Sequence, residues 1–378
     1  MLEFISIRPD AITVWQNPEV RRRLSWYLSV LRGKTLPRYK IARTYVIEGL
    51  DPSDENNLTL NEMLKIHRDI APGFRDLLRR IKEDPSQAST MNLGIKGVNF
   101  LELKVWIVRK LVNPCILCER KCMINREKRI GACRLDYNAY VHSAFLHLGE
   151  EAPLVPSGTI FYGGCNFTCV YCQNHDISQE YPRNGKPVDP KELAAIQDEL
   201  ATEGARNINH VGGEPTPSTH IILESMLHAT HNRPQLWNSN MYMTEVIMEI
   251  LLDVIDIWLP DFKYGNNDCA FRLSGIKNYW ETITRNLKMA SVMGDMIIRH
   301  LVLPSHLECC TSKILDYIAR ELPSNGILVN IMDQYRPMHL VHRYPNRWKE
   351  ISRRPLRREV MEARQRASQL GICWRPVS

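Results

Sequence analysis

The sequence predicts an α/β protein built on a partial (β/α)6 barrel of parallel strands, preceded by a helical N-terminal region and a small cysteine-rich metal-binding segment. Three observations carry this expectation. From Ser157 onward, short β-like runs alternate with helical periods through six units, the rhythm of parallel strands covered by crossover helices. The 378 residues suit one such barrel with an extension. Polar clusters fall at the ends of the strand-like runs, where parallel folds gather functional groups. Six units point to a partial, open barrel, although the period alone does not exclude a doubly wound open sheet.

Residues 1–110 read as helical. "NPEVRRRLSWYLSVLR" and "NEMLKIHRDIAPGFRDLLRRIKE" repeat apolar residues at three- and four-residue spacing, and Asn17-Pro18-Glu19 reads as a helix start. Residues 111–150 contain "NPCILCERKCMINREKRIGACRLD", a stretch with few aliphatic runs that needs a metal for its shape. The barrel is expected over 151–340, with strands "GTIFYGG", "NINHV", "QLWNS", "IDIWLPDF", "MIIRHLVLP" and "GILVNIM". Its first helix, "DPKELAAIQDELATEG", has Asp189 as cap, Pro190 at its start and Gly204 past its end. Residues 341–378 form a C-terminal helical extension.

No apolar run approaches the ~18 residues of a membrane span, and "MLEFISIRPDAITVW" lacks the layout of a secretory signal. A cytoplasmic protein with no membrane partner is expected. The net charge is +7, of which residues 1–110 contribute +6 from 19 Lys and Arg against 13 Asp and Glu; "RRPLRREVMEARQR" adds a second basic stretch. Such stretches attract nucleic acid or acidic partners, but more often they are solvated helix faces.

A reducing compartment leaves the eleven cysteines without disulfides. Seven lie between Cys115 and Cys172, and clustered cysteines read as metal ligands. Cys269, Cys309, Cys310 and Cys373 are scattered and read as packing residues. Cys115, Cys118, Cys122 and Cys133 can close a structural zinc site or hold a second iron–sulfur cluster. Cys165, Cys169 and Cys172 leave one iron of a 4Fe–4S cubane open to a small molecule; a three-cysteine zinc site with a distant fourth ligand is the competing reading. His142, His147 and His175 lie near these groups and read as packed or hydrogen-bonded side chains, while Glu150 and Glu151 read as capping or rim residues.

"CNFTCVYC", with Tyr171 before the last cysteine, resembles the CxxxCxxC motif of the radical S-adenosylmethionine (radical SAM) enzymes. The resemblance implies that the open iron chelates S-adenosylmethionine, that an electron cleaves it to methionine and a 5′-deoxyadenosyl radical, and that the radical abstracts a hydrogen from a substrate. It also implies a reductant such as flavodoxin or ferredoxin. "GGEP" (Gly212, Gly213, Glu214, Pro215) resembles the segment holding the methionine amino group. "PDFK" resembles the Asp-x-Lys motif of the pyruvate formate-lyase activating enzyme and its relatives, which would make Asp261 and Lys263 cofactor-placing residues. Arg299 matches a strand-five arginine there, its bland alternative being an ion pair at the barrel lip. Asn238 and Asn240 resemble a "TNG"-like segment. With "LPDFKYG", "RHLVLP", "QYRP" and the upstream C-x-L-C-x-R-x-C, the resemblance covers about residues 111–370 and points to an activating-enzyme-like branch. The substrate is then a protein, as for glycyl-radical activases, or an RNA or small molecule. A non-catalytic iron–sulfur or zinc scaffold is the alternative.

Overall fold

The computed structural model describes residues 6–90, 97–323 and 325–378. Eight strands form one sheet: β1 (Ala139–His147), β2 (Ser157–Tyr162), β3 (Lys186–Val188), β4 (Ile208–Gly212), β5 (Gln235–Ser239), β6 (Ile257–Pro260), β7 (Asp295–Leu301) and β8 (Ile327–Met332). Their order is β3-β1-β2-β4-β5-β6-β7-β8. The run from β2 to β8 is parallel throughout and supplies the six expected strands. Two strands were not anticipated. β1 and β3 extend the β2 edge in antiparallel pairing. β1 alternates buried and exposed residues only over its second half, and β3 carries Pro187, a residue confined to sheet edges because it cannot donate to a ladder.

The first barrel helix, Pro190–Glu203, has the expected ends. Asp189 and Glu192 form a reciprocal capping box, and Gly204 closes the helix at φ +109°. In the N-terminal region the Asn17 side chain accepts from the Glu19 N–H at 2.9 Å, but Leu24 breaks the expected helix into Pro18–Arg23 and Ser25–Leu31. Helix Leu60–Glu83 buries Met63, His67, Ala71, Phe74, Leu78 and Ile81, a stripe at three- and four-residue steps. It packs beside helix Phe100–Leu111. No helix among the described residues is long and apolar enough to cross a membrane.

The inner face of the barrel changes character along each strand. Leu236, Leu259, Ile297 and Leu328 share one buried cluster with Val14, Val20, Leu24 and Tyr27, separate from the larger core, which takes in the alternate strand residues Trp237, Trp258, Ile298 and Val329. Side chains repeat every second residue in a strand, so the next inward positions are Asn238, Asp261, Arg299 and Asn330. The barrel therefore has an apolar floor, sealed by the first helices, and a polar upper layer. Buried carboxylates at the lower strand ends fasten the N-terminal region. Asp256 accepts from Trp26 Nε1 (2.7 Å), Arg38 N (2.9 Å) and Gln235 N (2.8 Å), and Asp295 accepts from Tyr27 N at 2.8 Å. Lys104, fully buried, reaches Asp253 at 2.7 Å beside helix Glu245–Leu251.

Candidate active site at the upper rim

The loop after β2 carries Cys165, Cys169 and Cys172. Its path depends on glycines where backbones cross. A Cβ on Gly213 would lie 2.0 Å from the Gly164 carbonyl oxygen, and one on Gly212, at φ +109°, would lie 2.1 Å from Tyr162 N. Both glycines let the end of β4 lie close against β2 and the loop that follows it. Glu214 then turns inward and ties the β4 end to the β5 end. It accepts from Ser239 Oγ (2.6 Å), Thr216 Oγ1 (2.5 Å) and Asn240 N (2.9 Å). Burial raises its pKa against these bonds.

Each thiol has a polar neighbour. Phe167 N–H donates to Cys165 Sγ at 3.3 Å, with Asn240 Nδ2 3.8 Å away. Ser274 Oγ donates to Cys169 Sγ at 3.0 Å, and Ser178 Oγ lies 3.4 Å from Cys172 Sγ. Behind Ser274 runs a chain of hydroxyls, Tyr264 and then Tyr171, with the two phenols 2.8 Å apart. Tyr171 is thus committed to this chain and to the ring of Tyr335. Burial pushes the Cys169 thiol up to about 11, opposed by the Lys263 ammonium. Burial, then the charge of Glu214, raises Cys165. Thiols held this high need a bound metal to ionise at neutral pH.

Asp261, Lys263 and Arg299 meet as one group. Lys263 Nζ donates to Asp261 Oδ2 at 2.7 Å and Arg299 Nε to Asp261 Oδ1 at 2.9 Å. Arg299 also reaches Asn238 Oδ1 and Glu150 Oε2, the latter at 3.5 Å. Glu150 and Glu151 are therefore buried inside the barrel, where they accept from Asn209 and Asn330. The capping or rim assignment fails because these carboxylates answer the cation of β7. Beside them a cavity of about 520 Å³ opens between β8, the β1–β2 loop and the N-terminal segment; Arg299, Asn330 and Gln334 line it.

The donor set fits a cubane with one open iron. Among the described residues only two groups bring three metal-ligating atoms within 4.8 Å of one another, and neither includes Cys165, Cys169 or Cys172. A single zinc holds thiolates about 3.8 Å apart, from Zn–S bonds of about 2.3 Å; cubane thiolates stand on separate irons and splay wider. Two buried amide nitrogens close to this loop, Asn166 Nδ2 and Asn238 Nδ2, lack partners.

The family model of the Radical SAM superfamily matches residues 159–318. Across 93% of this chain, the uncharacterized protein MJ0674 of Methanocaldococcus jannaschii is 39% identical, and the match covers 98% of that protein. The chain belongs to the radical SAM superfamily. A second M. jannaschii protein, MJ0808, is 25% identical over 51% of this chain and 61% of its own length. Among solved structures, Streptococcus suis SuiB bound to S-adenosylmethionine aligns with 14% identity and a TM-score of 0.39, covering 56% of this chain and 47% of that one. A radical SAM methyltransferase from Sphaerobacter thermophilus aligns with 12% identity and a TM-score of 0.42, covering 58% and 65%. This chain spans less than two thirds of either structure. Membership of the radical SAM superfamily implies a 4Fe–4S cluster and S-adenosylmethionine.

The upstream cysteines sit against this rim. Arg120 Nε donates to the Asn166 carbonyl at 2.9 Å, and a Cβ on Gly164 would lie 2.7 Å from the Cys133 carbonyl oxygen. Cys118 bridges Met243 just after β5. No three of Cys115, Cys118, Cys122 and Cys133 belong to a group within 4.8 Å. Of the histidines, His142 contacts the Pro182 carbonyl, His147 lies 3.6 Å from Glu150, and His175 stacks on His339 at 4.6 Å. Sequence reasoning missed Ser274 and Tyr264. Ser274 had no signal, because its helix, Asn267–Ser274, hides in a polar stretch.

Proposed function

We propose that this radical SAM protein reductively cleaves S-adenosylmethionine and abstracts a hydrogen from a substrate, with Cys165, Cys169 and Cys172 holding the cluster. The observation that carries the reading is three buried or half-buried thiols on the loop after the first parallel strand, spaced wider than a single ion would hold them. When bound, the cluster supplies the electron that converts S-adenosylmethionine to methionine and a 5′-deoxyadenosyl radical.

The chain's own groups bind, orient and exclude water. Gly212, Gly213 and Pro215 shape the β4 end, Glu214 and Asn240 hold the wall beside Cys165, and Asn238 offers a buried amide. Lys263 and Arg299 present cations suited to a carboxylate, kept in place by Asp261. Tyr171 steadies the loop through Tyr264 and Ser274. The upstream set, Cys115, Cys118, Cys122 and Cys133, is read as ligating a second iron–sulfur cluster rather than zinc, since its sulfurs lack single-ion spacing. The electron donor is then an external flavodoxin or ferredoxin.

A protein substrate of the activase kind is supported by the Asp261, Lys263 and Arg299 grouping. The RNA reading is weaker: in the C-terminal basic stretch Arg353, Arg364 and Arg366 pair with Glu359, Asp333 and Asp316. The test is anaerobic reconstitution, dithionite reduction and chromatography for 5′-deoxyadenosine. Product is expected from the wild-type chain and none from Cys169→Ala. An intact cluster that yields no 5′-deoxyadenosine overturns the proposal. A glycyl-radical signal on mixing with a candidate partner protein tests the activase reading separately.

A further inference from the structure

We propose that Cys269, His306 and Cys309 form a mononuclear site for a borderline-soft divalent cation, zinc foremost, with Cys310 as the fourth ligand. These residues come from two loops on the upper face, far apart in sequence. Cys269 lies in the first turn of helix Asn267–Ser274, after β6, and the others follow β7.

One ligand atom from each of Cys269, His306 and Cys309 lies within 4.8 Å of the other two. Cys269 Sγ is 3.9 Å from Cys309 Sγ, and Cys309 Sγ is 3.8 Å from Cys310 Sγ. Thiolates on one tetrahedral zinc stand about 3.8 Å apart. This is the convergence that the two iron–sulfur candidate sets lack. Packing alone explains buried cysteines one at a time; it does not explain two thiols from separate elements meeting an imidazole, with a third thiol beside one of them.

The imidazole is prepared as a ligand. His306 Nδ1 lies 2.8 Å from the Pro304 carbonyl, an acceptor that holds the proton on Nδ1 and leaves Nε2 with its lone pair. Metal-binding histidines are oriented by such a bond. The loops are built to meet. The Asn266 side chain accepts from Cys269 N at 2.8 Å and donates to the Cys309 carbonyl at 2.8 Å. A Cβ on Gly265 would lie 2.6 Å from Cys310 Cα, so only glycine permits the approach. Arg272 lies 3.3 Å from His306 Nε2. Its side chain is 46% exposed and paired with Glu350, so it can swing aside and remain as a counter-charge to the thiolates.

The site bears on the chemistry nearby. The same helix ends at Ser274, which donates to Cys169. The Ser274 carbonyl accepts from Thr168 N at 3.0 Å and the Leu273 carbonyl from Val170 N at 2.9 Å. An ion at the first turn therefore fixes the element on which the CxxxCxxC loop is hung.

The test uses the full chain, purified anaerobically with its iron–sulfur content intact. Elemental analysis is expected to find one zinc per chain beside the iron, and Co(II) exchange to give a thiolate-to-cobalt charge-transfer band. The double variant Cys269→Ser/Cys309→Ser is expected to lose that equivalent of zinc and the band while keeping its iron. Zinc retained in the double variant overturns the proposal, because the ion then sits elsewhere. A second measurement needs no variant: mass spectrometry of alkylated wild-type protein should show Cys269 and Cys309 shielded with zinc and labelled after chelation. Labelling that ignores chelation, or a Cys269–Cys309 disulfide in protein free of zinc and cobalt, equally overturns it.

Discussion

Replacing Arg299 by methionine removes the cation between Asp261, Glu150 and Asn238 and keeps most of the side-chain volume. Burial pushes the Asp261 and Glu150 carboxyls up, but their partners outweigh it and both pKa values end below the ordinary range. Glu151, where burial wins, ends above it. At an effective dielectric of about 20, a close ion pair is worth roughly 4 kcal/mol. Asp261 keeps Lys263 at 2.7 Å and Glu150 keeps Asn209 at 2.9 Å. We therefore expect a loss of about 3 kcal/mol near pH 8, the low end for breaking a buried pair. That is about a hundredfold in the unfolding equilibrium. The sign with pH is distinctive. In the wild-type chain the depressed pKa values of Asp261 and Glu150 add stability above about pH 4, which is lost as pH falls through the folded values. In Arg299→Met Glu150 keeps only His147 and Asn209 against its burial and its pKa rises, so the penalty is largest at high pH and shrinks toward about pH 5. Urea unfolding followed by tryptophan fluorescence at both pH values measures this. A variant that matches wild type near pH 8, or whose deficit is unchanged near pH 5, refutes the electrostatic account.

Ser274→Ala removes the hydroxyl donor to Cys169. With fewer hydrogen bonds to sulfur, the cluster potential should become more negative, read by potentiometric EPR, while iron content stays constant. Gly213→Ala forces a Cβ to 2.0 Å from a backbone oxygen, so a loss of at least ~3 kcal/mol is expected. Gly326→Ala meets nothing within 4 Å and should be neutral or gain up to ~1 kcal/mol; urea midpoints compare the two. Asp256→Ala orphans three buried donors, a cost of about 3 kcal/mol, and limited proteolysis should then release fragments from the first 50 residues sooner than in wild type.

The barrel was legible because its signals are local. Alternating apolar runs, Asp189 with Glu192 around Pro190, and Gly204 each act within a few residues. The cysteine triplet was legible for the same reason. What escaped depends on tertiary meeting points. β1 lay inside a stretch read as cysteine-rich, and its partners on β2 lie 10 to 21 residues downstream, from Ser157 opposite His147 to Tyr162 opposite Val141. Cys269 and Cys309 are 40 positions apart, and nothing in either neighbourhood announces the other. Glu150 looked like a rim residue because its partner Arg299 lies 149 positions downstream. The ion pairs of the C-terminal basic stretch were hidden for the same reason, its acidic partners Asp316 and Asp333 being remote.

The barrel floor has a kinetic meaning. Val14, Val20, Leu24 and Tyr27 share their cluster with Leu236, Ile297, Leu328 and Val377. Closing so long a loop costs little in equilibrium terms, since each doubling of length adds about 0.6 kcal/mol, yet long-range contacts slow folding. During synthesis this cluster stays incomplete until Val377 emerges. We expect pulsed hydrogen exchange to show floor amides such as those of Leu236 and Ile297 gaining protection last. Early protection there would mean that the floor forms before its final residue arrives.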